Sequence, residues 1–418
     1  MQREPRTLRV RDHYVPRAHG VPHTVLARHH LQCQYATHTS LVLGGGSSEL
    51  VGGTLLGEVL QPAADMLQQQ VQLLRQGQPA PPTALHTSVG TSAPLLPFLA
   101  ALQAHLPSSW QREHQWGALL QTEGSSAVAA AVHALQQRAR APGVAVAACS
   151  YHGPPSDAYG SRQHGTASAK PAQVLYPAPA PDQRRPDEGH GDFLARIRAE
   201  QDAWLERHPN VGVLLVEPQW GSAACGQPWP AALLRHFVAQ ARRRGMLVCA
   251  DEVMCGLGRH GQGRTFLVDA WHVEVDAIVW GKAVAAGTFP LAGAVLRQWQ
   301  PQASVHTHTY ALGAHPLALV TATQVLQRLP HWHASIAERS RLMAAELSGT
   351  GATGQGLLWG WAHPRPAALT QACAAAGVQV YAVPGGVLLT PLLNAPLEQL
   401  RAALRVLVAT ASRALPPV

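Results

Sequence analysis

The sequence predicts an α/β fold in which helices cover both faces of a large, mostly parallel sheet, joined to a smaller α+β domain. Two observations support this class. Between about residues 115 and 295, short apolar runs that suit buried strands alternate with amphipathic segments that suit helices. After Pro316 the order changes to helices followed by short strands, and a chain of 418 residues is long enough for a second domain.

The strands of the large sheet are predicted from apolar runs bounded by polar or glycine-rich segments. These runs end near Leu120, Cys149, Glu217, Asp251 and Lys282. Between them, helices are expected at 125–140 and 230–244, where apolar side chains recur at helical spacing. The segment 171–190 is rich in proline and charge, so we expect it to be an exposed connection.

The flanking parts of the chain are predicted to be mainly helical. Helices at 62–76 and 93–105 precede the sheet. After it we expect helices at 317–328 and 332–348, strands near 356–362 and 378–390, and a last helix from Leu397. We therefore expect an N-terminal segment of the small domain at 1–60, a large domain at 61–315 and a C-terminal small domain at 316–418.

Composition argues against nucleic acid as a partner. The net charge is +8, but the arginines are scattered and no basic stripe interleaved with aromatic residues is present. An anionic cofactor or substrate accounts for this modest positive balance. Charged residues make up only 13% of the chain, which is typical of a protein that covers much of its surface with a partner subunit.

Cysteine usage and hydropathy predict a cytosolic protein. The six cysteines show no paired spacing, which indicates free thiols in a reducing compartment. No apolar run approaches the ~20 residues of a membrane span, and the first residues lack the apolar segment of a signal peptide. The histidine pairs at 29–30 and at 306 and 308 lack helical ligand spacing and a third ligand, so no metal site is predicted.

Two polar residues follow apolar runs that read as core strands, Asp251 and, thirty-one residues later, Lys282. Open α/β sheets bind ligands at the carboxyl ends of their strands, so both side chains are expected there. A lysine amine can form a Schiff base with pyridoxal 5′-phosphate (PLP), and a carboxylate can keep its pyridine nitrogen protonated. A strand-end lysine and a helix-capping acid would be the structural alternative for this pair alone.

Further segments favour the cofactor over that alternative. Gly124 and Ser125 open a helix after a strand, where backbone N–H groups and a hydroxyl suit a phosphate. Tyr151 follows the next strand and can place its ring on one face of the cofactor, while Val253 can lie on the other. Glu217 closes the following strand and brings a carboxylate near the lysine. A hydroxyl is available at Thr309, before the second domain begins.

In this order and spacing, the segments from about residue 55 to residue 320 resemble the class III aminotransferases, which have the aspartate aminotransferase-like fold (fold type I). The resemblance implies Lys282 as the Schiff-base lysine and Asp251 as the partner of the pyridine nitrogen. It implies that PLP is bound by Gly124, Ser125, Tyr151, Glu217, Asp251, Val253, Lys282 and Thr309. Because Thr309 would reach the phosphate of a neighbouring subunit, it also implies a homodimer.

The implied activity is transfer of an amino group between an amine or amino acid and a carbonyl acceptor. Decarboxylation, racemisation and aminomutase chemistry use the same residues, and a non-catalytic scaffold relative is the alternative from another class. The family's serine-glycine-serine/threonine-glutamate-alanine motif reads Glu123-Gly-Ser-Ser126-Ala127 here.

The positions where relatives often carry an arginine for the substrate carboxylate hold Pro154-Pro155 and residues 382–384. We therefore expect a weakly charged or carboxylate-free substrate chain beside Trp220. A displaced arginine, Arg162 or Arg259, is the competing possibility.

Overall fold

The computed structural model of the protein describes residues 41–42, 50–80, 92–113, 115–153, 173–180, 183–298 and 314–413. Within these ranges the strands are β1 (Leu41–Val42), β2 (Trp116–Gln121), β3 (Gly143–Ala147), β4 (Gln173–Tyr176), β5 (Val211–Val216), β6 (Leu247–Asp251), β7 (Ala277–Trp280), β8 (Ala292–Arg297), β9 (Thr353–Gln355), β10 (Leu358–Ala362), β11 (Val378–Gln379), β12 (Tyr381–Val383) and β13 (Gly386–Leu389). The helices are α1 (Thr54–Arg75), α2 (Leu95–Gln103), α3 (Ser108–Glu113), α4 (Gly124–Gln136), α5 (His190–Arg207), α6 (Ala231–Arg243), α7 (Leu267–Ala270), α8 (Pro316–Leu347), α9 (Pro366–Ala375) and α10 (Leu397–Arg413).

Seven strands form the central sheet in the order β2-β8-β7-β6-β5-β3-β4. Only β8 runs antiparallel to its neighbours β2 and β7, and the other described pairings are parallel. The arrangement confirms the predicted mostly parallel sheet. The carboxyl ends of the parallel strands therefore lie along one edge, which is where the polar segments that follow them emerge.

The central strands β5, β6, β7 and β8 are buried on both faces of the sheet, which explains why they read as continuous apolar runs. Side chains alternate along each strand, so Val213 and Val279 pack toward α4 on one face. Leu214 and Ile278 point to the larger core on the opposite face. Helix α4 contacts β8, β7, β6 and β5, and its N-terminus lies at the edge where β2 ends.

The C-terminal part forms a second layer of sheet and helices. Strands β12, β13, β10 and β9 make an antiparallel sheet in that order, and β1 pairs in parallel with β11. The long helix α8 packs against α1, α2 and α10. The division of the chain at residues 60 and 315 stays a prediction. None of the helices in the described ranges is long and apolar enough to cross a membrane.

Two helix predictions were wrong because prolines do not end these helices. Helix α1 begins at Thr54 and continues through Pro62, since Val59 and Ala63 on either side are buried in the core. The predicted pair of helices at 317–328 and 332–348 is the single helix α8, which contains Pro330. Pro330 has no N–H for the carbonyl four residues earlier, that of Leu326.

A side chain replaces the missing backbone donor. His105 Nε2 donates to the oxygen of Leu326 at 2.8 Å, and its Nδ1 lies 2.5 Å from Thr265 Oγ1. The freed carbonyl of α8 is thus satisfied from another element. Part of the predicted connection 171–190 is also wrong, because β4 pairs with β3 and Tyr176 donates from its hydroxyl to the oxygen of Leu215 at 3.0 Å.

Three buried or half-buried histidines lie between α2, α8 and the loop before α7. Because of them, we expect the free energy of unfolding to fall in acid. His260 is buried, and burial together with the nearby His333 lowers its pKa to about 3. Burial also lowers the pKa of His105 and of His333. An unfolded histidine binds a proton below about pH 6.5, whereas buried His260 does not, so stability is lost as pH falls below that value.

We expect acidification from pH 7 to pH 5 to destabilise the wild type by about 2 kcal/mol more than the His260→Gln variant. Urea unfolding of both proteins in matched buffers measures this difference. Buried carboxylates titrate equally in both proteins and cancel in the comparison. If the difference in unfolding free energy between wild type and His260→Gln does not change with pH, buried His260 is not the cause of the loss of stability in acid.

Candidate active site

Residues from five segments meet at the carboxyl edge of the central sheet. Gly124 opens α4 just after β2, Tyr151 follows β3, and Glu217 follows β5. Asp251 is the last residue of β6, and Lys282 comes two residues after β7. The sheet topology therefore brings together residues that lie up to 158 positions apart in sequence, from Gly124 to Lys282 (282 − 124).

Close packing around Val253 joins three of these segments. A Cβ added to Gly124 would lie 2.8 Å from Val253 Cγ1, and one added to Gly281 would lie 3.5 Å from the same atom. The start of α4 therefore approaches the segment after β6 with no side chain between them. Its first N–H groups have no helical acceptor, and the N-cap residue Glu123 makes no side-chain capping bond.

Asp251 is held by two donors in a buried setting. His152 Nδ1 donates to Asp251 Oδ2 at 2.8 Å, and the backbone N–H of Val253 donates to Oδ1 at 3.1 Å. Burial alone would lower the pKa of His152, but the hydrogen bond and charge of Asp251, with the charge of Glu217, raise it overall. The interaction fixes both the orientation of the carboxylate and the tautomer of the histidine.

Glu217 is also buried, and each of its carboxylate oxygens accepts a backbone hydrogen bond. The N–H of Tyr151 donates to Oε1 at 2.7 Å, and the N–H of Gly221 donates to Oε2 at 3.1 Å. Burial raises the pKa of Glu217 to about 7 and the charge of Asp251 adds to the rise, although His152 and the two amides oppose it. This carboxyl group therefore titrates near neutral pH.

Lys282 begins a short 3₁₀ turn and has a left-handed backbone with φ of 47°. Such a conformation is costly for a residue with a side chain, and the buried residues Ala283 and Val284 that follow hold it in place. The side chain remains accessible to solvent, yet the surrounding protein desolvates the amine enough to lower its pKa. The charges of Asp251 and Glu217 oppose that change.

Some residues that the sequence suggested for the substrate site lie elsewhere in the structure. Trp220 is fully buried against Trp229, with ring centroids 5.3 Å apart, so the prediction that it borders a substrate was wrong. Arg259 is buried and donates to the backbone oxygens of Leu357 at 3.2 Å and Pro391 at 2.8 Å, so it contacts the C-terminal layer. Thr309 and Arg162, with both histidine pairs, lie outside the described residues.

Sequence reasoning missed the role of His152. Its position beside Tyr151 gave no sign that its ring would reach a strand end 99 residues away, at Asp251. Within the described ranges, no group of three or more histidine, cysteine, aspartate or glutamate side chains could hold a metal ion.

Comparison with known proteins gives relatives that are aminotransferases. The chain is 30% identical to ornithine aminotransferase of Bacillus anthracis over 146 residues, which is 34% of this chain and 35% of that protein. It is 32% identical over 145 residues to the uncharacterized aminotransferase YodT of Bacillus subtilis, or 32% of each chain. The match thus spans about a third of the length of these curated relatives.

Solved structures match over much more of the chain. A PMP-bound aminotransferase from Vibrio fluvialis superposes with a TM-score of 0.75 and 16% identity, over 99% of both chains. An (S)-enantioselective omega-transaminase from Thermomicrobium roseum gives a TM-score of 0.69 and 18% identity, over 87% of this chain and 86% of that one. These similarities confirm the predicted fold. The family model for class III aminotransferases matches residues 76–410, and the chain belongs to that family.

Proposed function

We propose that this protein is a PLP-dependent aminotransferase that moves an amino group between an amine or amino acid and a carbonyl acceptor. The observation that carries the proposal is the meeting of the Lys282 amine with the His152-supported carboxylate of Asp251 at one edge of the sheet. When bound, PLP supplies an electron sink for bonds at the substrate Cα. Family membership and the fold support the same chemistry.

The residues present fit this cofactor. The free N–H groups at the start of α4, at Gly124 and Ser125, would hold its phosphate, and the absence of a Cβ on Gly124 leaves that helix end against Val253. Asp251 keeps lone pairs beyond those used by its two donors and would accept the N–H of the pyridine ring. Tyr151 and Val253 would lie on the two ring faces, and Thr309 would complete the phosphate site.

Lys282 would both bind the cofactor and transfer protons. Its lowered pKa increases the fraction of neutral amine, which is the nucleophilic form. With PLP bound to supply the electron sink, the amine of Lys282 would act as the base that takes the proton from the substrate Cα and as the acid that returns it. Glu217 would hold the backbone of Tyr151 beside this site.

The Lys282→Ala variant is expected to lose turnover while still binding PLP non-covalently. Asp251→Asn should be nearly as inactive, because a neutral partner does not keep the pyridine nitrogen protonated. The sequence has two lysines, Lys170 and Lys282, so Lys170→Ala is the matched control and should remain active. Single-turnover absorbance measurements on the three variants test this, and an active Lys282→Ala enzyme would rule the proposal out.

We propose a homodimer in the cytosol as the working form. Leu67, Val71 and Leu74 form an exposed apolar stripe along α1, where helical spacing places them on one face. Such a face is suited to a subunit contact in a chain so poor in charge. The free cysteines of the described chain suit a reducing compartment.

The Val71→Glu variant is expected to shift the protein toward monomer and to weaken PLP binding, because a charge on this stripe would have to be buried on association. Gln69→Glu adds the same charge to an exposed position on another face of α1 and should leave the assembly unchanged. Analytical ultracentrifugation with absorbance detection of PLP measures both effects. A fully active wild-type monomer would exclude the dimer.

For the substrate, we propose an amine or carbonyl on a weakly charged or carboxylate-free chain. In the part of the chain that the structure describes, the groups whose charges act on Lys282 are Asp251, Glu217 and Cys255, and the buried guanidinium of Arg259 is bonded to backbone oxygens elsewhere. A buried carboxylate without a cationic partner is costly.

A panel of amines and amino acids, followed by the change in cofactor absorbance on amino transfer, is expected to favour carboxylate-free amines. Release of CO₂ or racemised product in the same assays would identify the alternative chemistries. If dicarboxylic amino acids alone react, the proposed substrate class is wrong.

A further inference from the structure

Glu217 joins two loops that follow the neighbouring strands β3 and β5. Its Oε1 accepts the N–H of Tyr151, and its Oε2 accepts the N–H of Gly221. Both donors lie outside regular elements, after β3 and after β5 respectively. The carboxylate therefore sets the distance between the segment that carries the tyrosine ring and the turn that begins at Gly221.

The turn after Gly221 packs closely against strands β10 and β13 of the C-terminal sheet. Cys225 has a left-handed backbone with φ of 49°, and its Sγ lies 3.4 Å from the oxygen of Val387. A Cβ added to Gly360 would lie 1.6 Å from the oxygen of Cys225, and one added to Gly386 would lie 2.9 Å from its Sγ. Contact this close requires glycine at both sites, so the turn cannot slide independently of the small sheet.

The side chain of Gln219 also connects this turn to the C-terminal sheet. Its Nε2 donates to the oxygen of Gly226 at 2.9 Å and to the oxygen of Leu358, in β10, at 2.8 Å. The side chain is fully buried, so water does not compete with these bonds. Gln219 thus ties the turn to β10 through a side chain other than Glu217.

We propose that Glu217 is a positioning residue that couples the small domain to the ring of Tyr151 on the cofactor. The proposal rests on the proposed function, in which that ring lies against PLP. A movement of β10 or β13 shifts the turn at Gly221, and the carboxylate of Glu217 passes the shift to the Tyr151 backbone. This chain of contacts therefore links β10 and β13 with the face of the cofactor.

Protonation provides a second way to observe the same coupling. Because burial raises the pKa of Glu217 to about 7, the carboxyl gains a proton below that pH and one oxygen becomes a poorer acceptor. The hydrogen bond that Glu217 accepts from Tyr151 or from Gly221 is therefore weaker below this pH and stronger above it. The titratable groups that interact with it are His152, Tyr176, Asp251, Cys255 and Lys282.

The main test compares Glu217→Gln with wild type, using Glu398→Gln on the exposed side of α10 as the matched control. An amide has one acceptor oxygen, so one backbone N–H loses its partner. We expect PLP dissociation constants from equilibrium dialysis to rise about tenfold, the cost of one charge-assisted bond. The circular dichroism of the cofactor band should change with pH near 7 in wild type and Glu398→Gln, but not in Glu217→Gln.

Gln219→Met separates coupling to the small domain from a purely local role. It keeps the side-chain volume and removes the bonds to Gly226 and Leu358, and we expect it to alter the cofactor band in the same direction as Glu217→Gln. An effect of Glu217→Gln alone, or of neither variant, would overturn the proposal. Borohydride trapping of PLP on Lys282 is measured in wild type and in each folded variant. If wild type shows no trapping, the proposed PLP-dependent function is wrong. If wild type shows trapping but the cofactor band does not respond as expected, only the coupling proposal is wrong.

Discussion

The hydrogen bond between His152 and Asp251 connects the ends of β3 and β6, which are separated in the sheet by β5. A buried carboxylate needs donors to offset its lost hydration, and here they come from an imidazole and from the N–H of Val253. Removing the histidine would leave a buried charge with one donor fewer, at a cost of several kcal/mol. The same carboxylate bonds Val253, which packs against the start of α4, so this contact connects the strand ends to the helix N-terminus.

The fold was predictable where apolar runs are buried on both faces, as in β5 and β6, because such runs admit few alternatives. The predictions of helix ends were wrong where a side chain distant in sequence satisfies a backbone group that local sequence alone would leave unpaired. Pro330 would be expected to end a helix, but His105, some 221 residues from Leu326, satisfies the carbonyl that the proline leaves free. Nothing near Pro330 in the sequence indicates that donor.

The site shows the same division. Lys282 and Asp251 could be placed from strand ends and spacing, whereas Trp220 was misplaced because its surroundings come from remote segments. The bonds of Arg259, which was considered only as an alternative partner for a carboxylate, also come from remote segments. His152 was overlooked for the same reason. The site also concentrates unfavourable features, including the left-handed backbone of Lys282 and a glutamate that titrates near pH 7. Strain and desolvation of this kind are typical of sites that bind and react.

The central claim is that the amine of Lys282 bonds to PLP. The most direct measurement is borohydride reduction of the PLP-loaded protein, followed by proteolysis and mass spectrometry of the peptides. With only Lys170 and Lys282 as lysines, the assignment is unambiguous. The account predicts one reduced pyridoxyl group per chain, on the peptide that contains Lys282. A label on Lys170 instead, or PLP bound with no reducible bond, would contradict it.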